Sequence, residues 1–235
     1  MSFLRVLSET TNAIQQGAFR RGANMGMMSI DHPDIVKFLH VKNNPMELTN
    51  FNLSVKVTHA FMEQLKQNPN RPHIVVNPRT NKRYVIPRST DKLSYSIDDL
   101  LPENKATNAC YTVQEIWDML ITNAHATGEP GVCFIDRVNQ DNPTPHLGEI
   151  ESSNPCGEQY LLPFESCNLG SINVSKFVKE NRDDLDWESL ARIAKLCVRF
   201  LDDVIDVNYF PIHEIAEITL GNRKIGLGIM GFADT

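Results

Sequence analysis

Residues 152–173 read SSNPCGEQYLLPFESCNLGSIN, and this stretch determines how the rest of the chain is interpreted. Asn154, Cys156 and Glu158 occupy alternate positions, and a second thiol, Cys167, follows eleven residues after the first. Side chains at alternate positions of an extended segment share one face, about 7 Å apart in succession. The spacing predicts an amide, a thiol and a carboxylate in one pocket, and a loop could also bring them together. The alternative is that Cys156 is a small buried side chain, as most free cysteines are.

The composition is that of an ordinary globular protein. The 235 residues provide for one large domain or two small ones, and 41% hydrophobic and 22% charged residues are usual values. No apolar run has the length of a membrane span, and the start lacks the layout of a signal peptide. These features predict a cytoplasmic protein without a membrane segment. The net charge of −6 argues against a surface that coats nucleic acid, because phosphate binding requires an excess of Lys and Arg.

The cysteines and histidines do not show the spacing of a metal site. The five cysteines are too few and odd in number for a disulfide scaffold, and neither a CxxC pair nor a CxxC/HxxxH pattern is present. The seven histidines have no HExxH or similar spacing. We therefore predict no metal site, surface or capping positions for the histidines, and structural roles for Cys110, Cys133 and Cys197.

Local patterns predict helices that alternate with strands. Apolar residues at helical spacing predict helices over residues 3–16, 32–42, 59–67, 113–127 and 186–207. Apolar or alternating runs predict strands over residues 25–30, 50–58 and 131–136, and a hairpin over 73–88. The strand at 131–136 is expected to be buried. Thr58 and Thr112 are the predicted N-caps, with Glu115 completing a capping box and Gly128 ending its helix. The alternation indicates an α/β fold.

The segment GLGIMG, residues 226–231, fits the GxGxxG pattern of dinucleotide-binding proteins. That motif requires a following helix, a second strand and an acidic residue about 20 positions further on. The sequence continues only to Thr235, so we do not interpret the segment as a dinucleotide site.

Several motifs in order along the chain resemble the large catalytic chain of ribonucleotide reductases. They are RRGANMG (20–26), DHPDI (31–35), NFNLSV (50–55), TGEPGVCFIDR (127–137), NPCGEQ (154–159) and P-x-E-x-C-N-L-G-S-I-N (163–173). The NPCGEQ form is most similar to the adenosylcobalamin-dependent class, and the class that takes its radical from a diiron subunit is the alternative. The resemblance implies that residues 1–235 are one partial barrel domain, a portion of the ten-stranded α/β barrel of the ribonucleotide reductase and glycyl-radical type. It also implies that the GLGIMG segment is a barrel strand, in which glycines permit close backbone packing.

The resemblance also implies the chemistry, which is reduction of ribonucleoside di- or triphosphates to 2′-deoxyribonucleotides for DNA synthesis. Cys156 would be the thiyl radical that removes the 3′ hydrogen of the ribose. Glu158 would take the 3′-OH proton, and Asn154 would hold the ribose by hydrogen bonds. Cys167 would be one of two reducing thiols that end as a disulfide. Adenosylcobalamin would be the cofactor, and a thioredoxin-like protein or a dithiol would restore the thiols.

The loop QQGAFRRGANMG, residues 15–26, resembles the reductase loop between the allosteric nucleotide site and the substrate base. The residues assigned to it are Gln16, Arg20, Arg21, Gly22, Ala23 and Asn24. Arginine suits this role because it stacks on a base and hydrogen-bonds to it, and a solvated basic turn is the alternative. The helix at 3–16 would correspond to the helix of a homodimer interface, unless its apolar residues belong to an ordinary core.

Parts of the family pattern are expected outside this sequence: the partner of Cys167, the loop that holds the substrate phosphates, and a C-terminal cysteine pair. The chain is therefore expected to be an internal segment of a catalytic domain that does not complete a turnover alone. A non-catalytic nucleotide-binding module that retains the loop at 15–26 is a further alternative. Intact Asn154, Cys156 and Glu158 argue against that module.

Overall fold

The computed structural model describes residues 2–14, 21–181 and 184–235. The chain divides into two compact units, Met1–Tyr160 and Leu161–Thr235. Among the described residues, none of the helices combines the length and the apolar character that crossing a membrane requires.

The first unit alternates helices and strands along most of its length. Its helices are α1 (Ser2–Ala13), α2 (Ile35–His40), α3 (His59–Gln67), α4 (Val113–Thr127) and α5 (Ile135–Gln140). Its strands are β1 (Asn24–Ser29), β2 (Phe51–Val57), β3 (Ile74–Val76), β4 (Arg83–Val85), β5 (Leu101–Pro102), β6 (Gly131–Phe134) and β7 (Ser152–Ser153). Strand β8 (Tyr160–Leu161) lies at the boundary between the units.

A parallel sheet in the order β1-β2-β6 organises the first unit. Its central strand alternates in burial: Phe51, Leu53, Val55 and Val57 are buried in the main hydrophobic core, together with residues of α2 and α4. Because successive side chains of a strand point to opposite faces, the residues between them lie on the other face of the sheet. The strand predicted over 50–58 is confirmed.

Helix ends in this unit follow their sequence signals. The Thr58 side chain accepts a hydrogen bond from the Phe61 N–H at 3.2 Å. Thr112 and Glu115 form a reciprocal capping box at the start of α4, and Gly128 ends that helix in the left-handed region with φ of 83°. These local predictions are confirmed because each depends on groups only a few residues apart.

The hairpin predicted over 73–88 is present as β3 and β4, and β5 extends it to a three-stranded antiparallel sheet. The prediction of a surface or capping position is wrong for His73, which is buried. Its Nε2 lies 2.9 Å from the Ile30 carbonyl oxygen, and its ring packs edge-on against Phe61. Burial lowers the pKa of His73, so the neutral ring is favoured in the core.

The strand predicted over 131–136 is β6, but only part of it is buried. Cys133 is enclosed, whereas Val132 and Phe134 are exposed. β6 lies at the edge of the three-stranded sheet, so its side chains have a neighbouring strand on one side only. The strand is therefore confirmed, but the prediction that it is buried is wrong for Val132 and Phe134.

The second unit contains a parallel pair of strands with helices between them in sequence. Its elements are β9 (Asn168–Asn173), α6 (Trp187–Val207), α7 (His213–Asn222) and β10 (Ile225–Met230). The strands pair from Asn168 with Ile225 to Asn173 with Met230. The strand interpretation of the glycine-rich GLGIMG segment is confirmed, because β10 contains most of it.

The predicted α/β class is confirmed. In the described part of the chain, the parallel strands lie in two separate sheets of three and two strands and do not close into a barrel. The helix predicted over 3–16 is confirmed up to Ala13, where α1 ends, and residues 15 and 16 lie outside the described residues.

Candidate active site

The Cys156 segment is a tight turn. The Gly157 N–H donates to the Asn154 carbonyl oxygen at 3.0 Å, which closes a four-residue β-turn over 154–157. Pro155 occupies the first central position, where proline is favoured, and Cys156 occupies the second. Gly157 has φ of 82°, a conformation that glycine adopts without strain. The extended conformation considered for 154–158 is therefore wrong, and the loop conformation is correct.

Asn154 closes the turn with its side chain as well as its backbone. Its Oδ1 accepts a hydrogen bond from the Gln159 N–H at 3.0 Å, and its own N–H donates to the Gln159 carbonyl oxygen at 3.1 Å. The side-chain oxygen is thus engaged within the loop. The amide nitrogen has two N–H groups, which could donate hydrogen bonds to a substrate hydroxyl.

The thiol of Cys156 is exposed, and so is Glu158, whereas Asn154 is half-buried. The alternative of a buried structural cysteine is therefore wrong for Cys156. Cys110 and Cys133 are buried, which agrees with the structural roles predicted for them. Asn154 and Cys156 thus lie in the turn, Glu158 follows it directly, and Cys156 is exposed.

Cys167 belongs to the second unit and immediately precedes β9. It is half-buried, and its Sγ lies 3.4 Å from the Asn168 carbonyl oxygen. Side chains on both sides of it are tied to α6 and α7: the Ser166 and Thr219 hydroxyls lie 2.8 Å apart, and the Asn168 amide donates to the Leu201 carbonyl oxygen at 2.8 Å. The backbone that carries this thiol is therefore held from both neighbouring residues.

Glu165 is a buried carboxylate that sequence reasoning did not single out. One oxygen accepts from the Leu162 N–H at 2.8 Å and from the Lys224 ammonium at 2.6 Å, and the other accepts from the Asn222 amide. The motif P-x-E-x-C places this carboxylate two residues before Cys167. Its partners Asn222 and Lys224, however, are more than fifty residues away in the sequence. Sequence spacing alone gives no signal for them.

The described part of the 15–26 loop contacts α1. Gln16 and Arg20 lie outside the described residues. Arg21 and Ala23 are exposed, and Gly22 lies so close to Thr11 that an added Cβ would come within 2.6 Å of its methyl group. Asn24 donates to the Thr11 hydroxyl at 2.9 Å. Arg21 is thus accessible to a ligand, whereas Asn24 is engaged with the helix.

Helix α1 has two different faces. Leu4 packs against the core, and the buried Ser8 hydroxyl donates to Asn50 at 2.8 Å. Phe3, Val6 and Leu7 are exposed. The ordinary-core interpretation of the apolar residues is therefore wrong for these three.

The family follows from a comparison that covers the whole chain. A family model described as "Ribonucleotide reductase, barrel domain" matches residues 1–235. The chain belongs to the ribonucleotide reductase family. The resemblance inferred from the motifs is thereby confirmed, and the two parallel sheets are part of a reductase barrel domain.

Individual reductases agree with this and favour one class. The vitamin B12-dependent ribonucleoside-diphosphate reductase of Thermoplasma acidophilum is 44% identical over 236 residues, which cover 100% of this chain and 27% of that protein. The enzyme of the same name from Mycobacterium tuberculosis is 42% identical over 235 residues, covering 100% of this chain and 29% of that protein. The ribonucleoside-diphosphate reductase large subunit of Plasmodium falciparum is 29% identical, covering 99% and 29%. The chain therefore spans less than a third of these relatives and is more similar to the B12-dependent ones.

Proposed function

We propose that this chain forms the thiol-bearing part of the catalytic barrel of an adenosylcobalamin-dependent ribonucleotide reductase. Residues 1–235 would be one partial barrel domain, and the reaction would convert ribonucleotides to 2′-deoxyribonucleotides for DNA synthesis. The observation that supports this most directly is the exposed Cys156 at the second central position of a turn that begins at Asn154 and is followed directly by Glu158. The names of the B12-dependent relatives favour ribonucleoside diphosphates as substrates.

The proposed roles follow from the chemistry of each side chain. Adenosylcobalamin, when bound, supplies an organic radical, and an accessible thiol such as that of Cys156 suits a bulky cofactor. Cys156 would give its thiol hydrogen atom to that radical, and the resulting thiyl would take the 3′ hydrogen atom of the ribose. Glu158, as an exposed carboxylate, accepts the 3′-OH proton, and the Asn154 amide donates to a ribose hydroxyl. The role of Asn154 requires only its nitrogen, because its oxygen is engaged with Gln159.

Loss of the 2′-OH as water requires two electrons. Cys167 and a second thiol would supply them and would end as a disulfide. A thioredoxin-like protein or a small dithiol would reduce that disulfide again. The held backbone around Cys167 fits a thiol that must meet a defined partner, and Cys156 must not form a disulfide with it.

Regulation and assembly are proposed on the first unit. An allosteric nucleotide would be sensed through the loop of Gln16, Arg20, Arg21, Gly22, Ala23 and Asn24, in which the exposed Arg21 is the described side chain best placed to reach a ligand. The exposed apolar residues of α1 would form a homodimer interface. The proposed location of this activity is the cytoplasm.

The test is Cys156→Ser in a full-length reductase that contains these residues. We expect deoxynucleotide formation to fall to background while nucleotide binding is preserved, because serine cannot form the equivalent radical. Cys197→Ser, at a half-buried position of α6, is the matched control and should retain activity. Strict dependence on added adenosylcobalamin distinguishes this class from one that uses a metal-subunit radical. Full activity of Cys156→Ser would contradict the proposal and favour a nucleotide-binding module.

A further inference from the structure

Asn52 reaches the Cys156 turn from the central strand of the parallel sheet. It lies between the buried Phe51 and Leu53, so its side chain points to the face of the sheet opposite the core. Its Nδ2 donates to the Pro155 carbonyl oxygen at 2.5 Å. This bond joins residues 103 positions apart in the sequence. It therefore attaches the turn to a strand that is not part of the turn.

The carbonyl that Asn52 holds belongs to the peptide between Pro155 and Cys156, which is the central peptide of the β-turn. The two common turn types differ in the orientation of that peptide: type II requires positive φ at the second central residue, and type I does not. Among the described residues other than glycine, positive φ occurs at Leu48, Asn81, Phe164 and Arg223. Cys156 therefore has the negative φ that a type I turn requires. A donor fixed on the Pro155 oxygen favours this orientation over the flipped one.

The far end of the loop has a separate attachment. The Tyr160 hydroxyl and the Cys133 thiol share a hydrogen bond, and burial raises the pKa of both groups. Cys133 lies on β6, next to the strand that carries Asn52. The end of the loop is thus hydrogen-bonded to β6, whereas the Pro155–Cys156 peptide is hydrogen-bonded to β2.

We propose that Asn52 is a positioning residue for the Cys156 thiol. By holding the central peptide of the turn, it fixes the direction of the Cys156 Cα–Cβ bond and hence the place of the sulfur. The catalytic part of this inference rests on the proposed function. Hydrogen bonds within the turn, made by Asn154, Gly157 and Gln159, close the loop but do not contact the Pro155 oxygen.

The first test measures the turn itself in the 235-residue chain. Asn52→Asp keeps the size of the side chain but replaces the donor with a carboxylate. We expect the Gly157 and Gln159 amides to exchange with solvent on the order of two- to tenfold faster, the range for one lost hydrogen bond. Asn52→Gln, which retains the donor, should recover part of the protection. Ser54→Ala, the next position on the same face of β2, is the matched control and should leave both amides unchanged.

The second test measures catalysis in a full-length reductase that contains these residues. Asn52→Asp should lower kcat between about tenfold and a hundredfold, as expected for a misplaced reacting group, with KM changed less than about twofold. Ser54→Ala should retain both constants. The kinetic split and the local exchange together separate positioning from a general structural role, which would reduce protection throughout β1, β2 and β6.

Each outcome has one meaning. Faster exchange confined to the turn together with the lowered kcat supports the proposal. Unchanged exchange in Asn52→Asp, loss of protection across the whole sheet, or faster exchange with full kcat would each overturn it. The proposed function fails separately, if Cys156→Ser retains reductase activity. In that case faster exchange would still show that Asn52 holds the turn, but its catalytic role would be overturned.

Discussion

Glu165 has a fully buried side chain, and its charge is balanced by Lys224, which is 15% exposed. Removing one partner of such a pair leaves the other charged group buried without compensation, which costs more than the pair itself contributes. The pair also joins the segment before Cys167 to the segment before β10. It therefore affects both the stability of the second unit and the placement of the second thiol.

Glu165→Gln is the variant that tests this. The amide has nearly the same shape but no charge, so the free energy of unfolding of the second unit should fall by about 3 kcal/mol. Hydrogen exchange of the β10 amides in the 235-residue chain measures the change. Asp203→Asn, which breaks the exposed pair with Arg199 in the same unit, is the control and should have little effect because solvent screens that pair. Equal effects of the two substitutions would show that burial of the pair is unimportant.

The residues of the Cys156 turn show what sequence spacing can predict. The order Asn154, Cys156, Glu158 predicted three neighbouring polar groups whose functional roles stay a prediction, and Pro155 and Gly157 are typical turn residues. The alternate spacing was also compatible with a strand. Spacing alone does not show that Pro155 lacks an N–H or that Asn154 forms hydrogen bonds with Gln159. The contact from Asn52 could not be predicted at all, since nothing local links positions 52 and 155.

Individual elements were predicted best where the signal is local. Helix α4 has a capping box at one end and Gly128 at the other, and both lie where the sequence indicated. The hairpin of β3 and β4 was predicted, but pairing between elements distant in the sequence was not, because their register depends on which hydrophobic faces meet after the chain has folded. The burial of His73 and the exposure of Val132 are consequences of that pairing.

The end of α4 provides a prediction at the scale of one element. An added Cβ at Gly128 would contact nothing within 4 Å, so Gly128→Ala should be destabilising only through its left-handed backbone. We expect a loss of about 1–2 kcal/mol. Gly221→Ala places the same methyl group in open space at an ordinary helical position in α7 and should stabilise the chain by about 0.5–1 kcal/mol. Urea unfolding followed by circular dichroism measures both, and a loss at position 221 equal to that at 128 would contradict the backbone explanation.

At the scale of the whole molecule, the chain spans less than a third of the B12-dependent relatives and exposes large apolar side chains on several elements. Helix α6 is the longest example: Leu201 and Ile205 are buried, while Leu196 and Phe200 are exposed. The helix is therefore apolar on more than the face that packs within its own unit. Exposed apolar patches of this kind mark surfaces that associate with other protein.

We therefore expect the 235-residue chain to associate with itself as its concentration rises, through surfaces that include this side of α6. The double substitution Leu196→Ser and Phe200→Ser removes two exposed apolar side chains, of which Phe200 is 67% exposed, and should shift sedimentation towards the monomer. Lys195→Ser changes an exposed polar neighbour on the same helix and should leave association unchanged. Because neither exposed side chain fills the core of the unit, the double variant should remain folded by circular dichroism. A parent chain that stays monomeric at all concentrations tested would show that the apolar side of α6 is not an association surface.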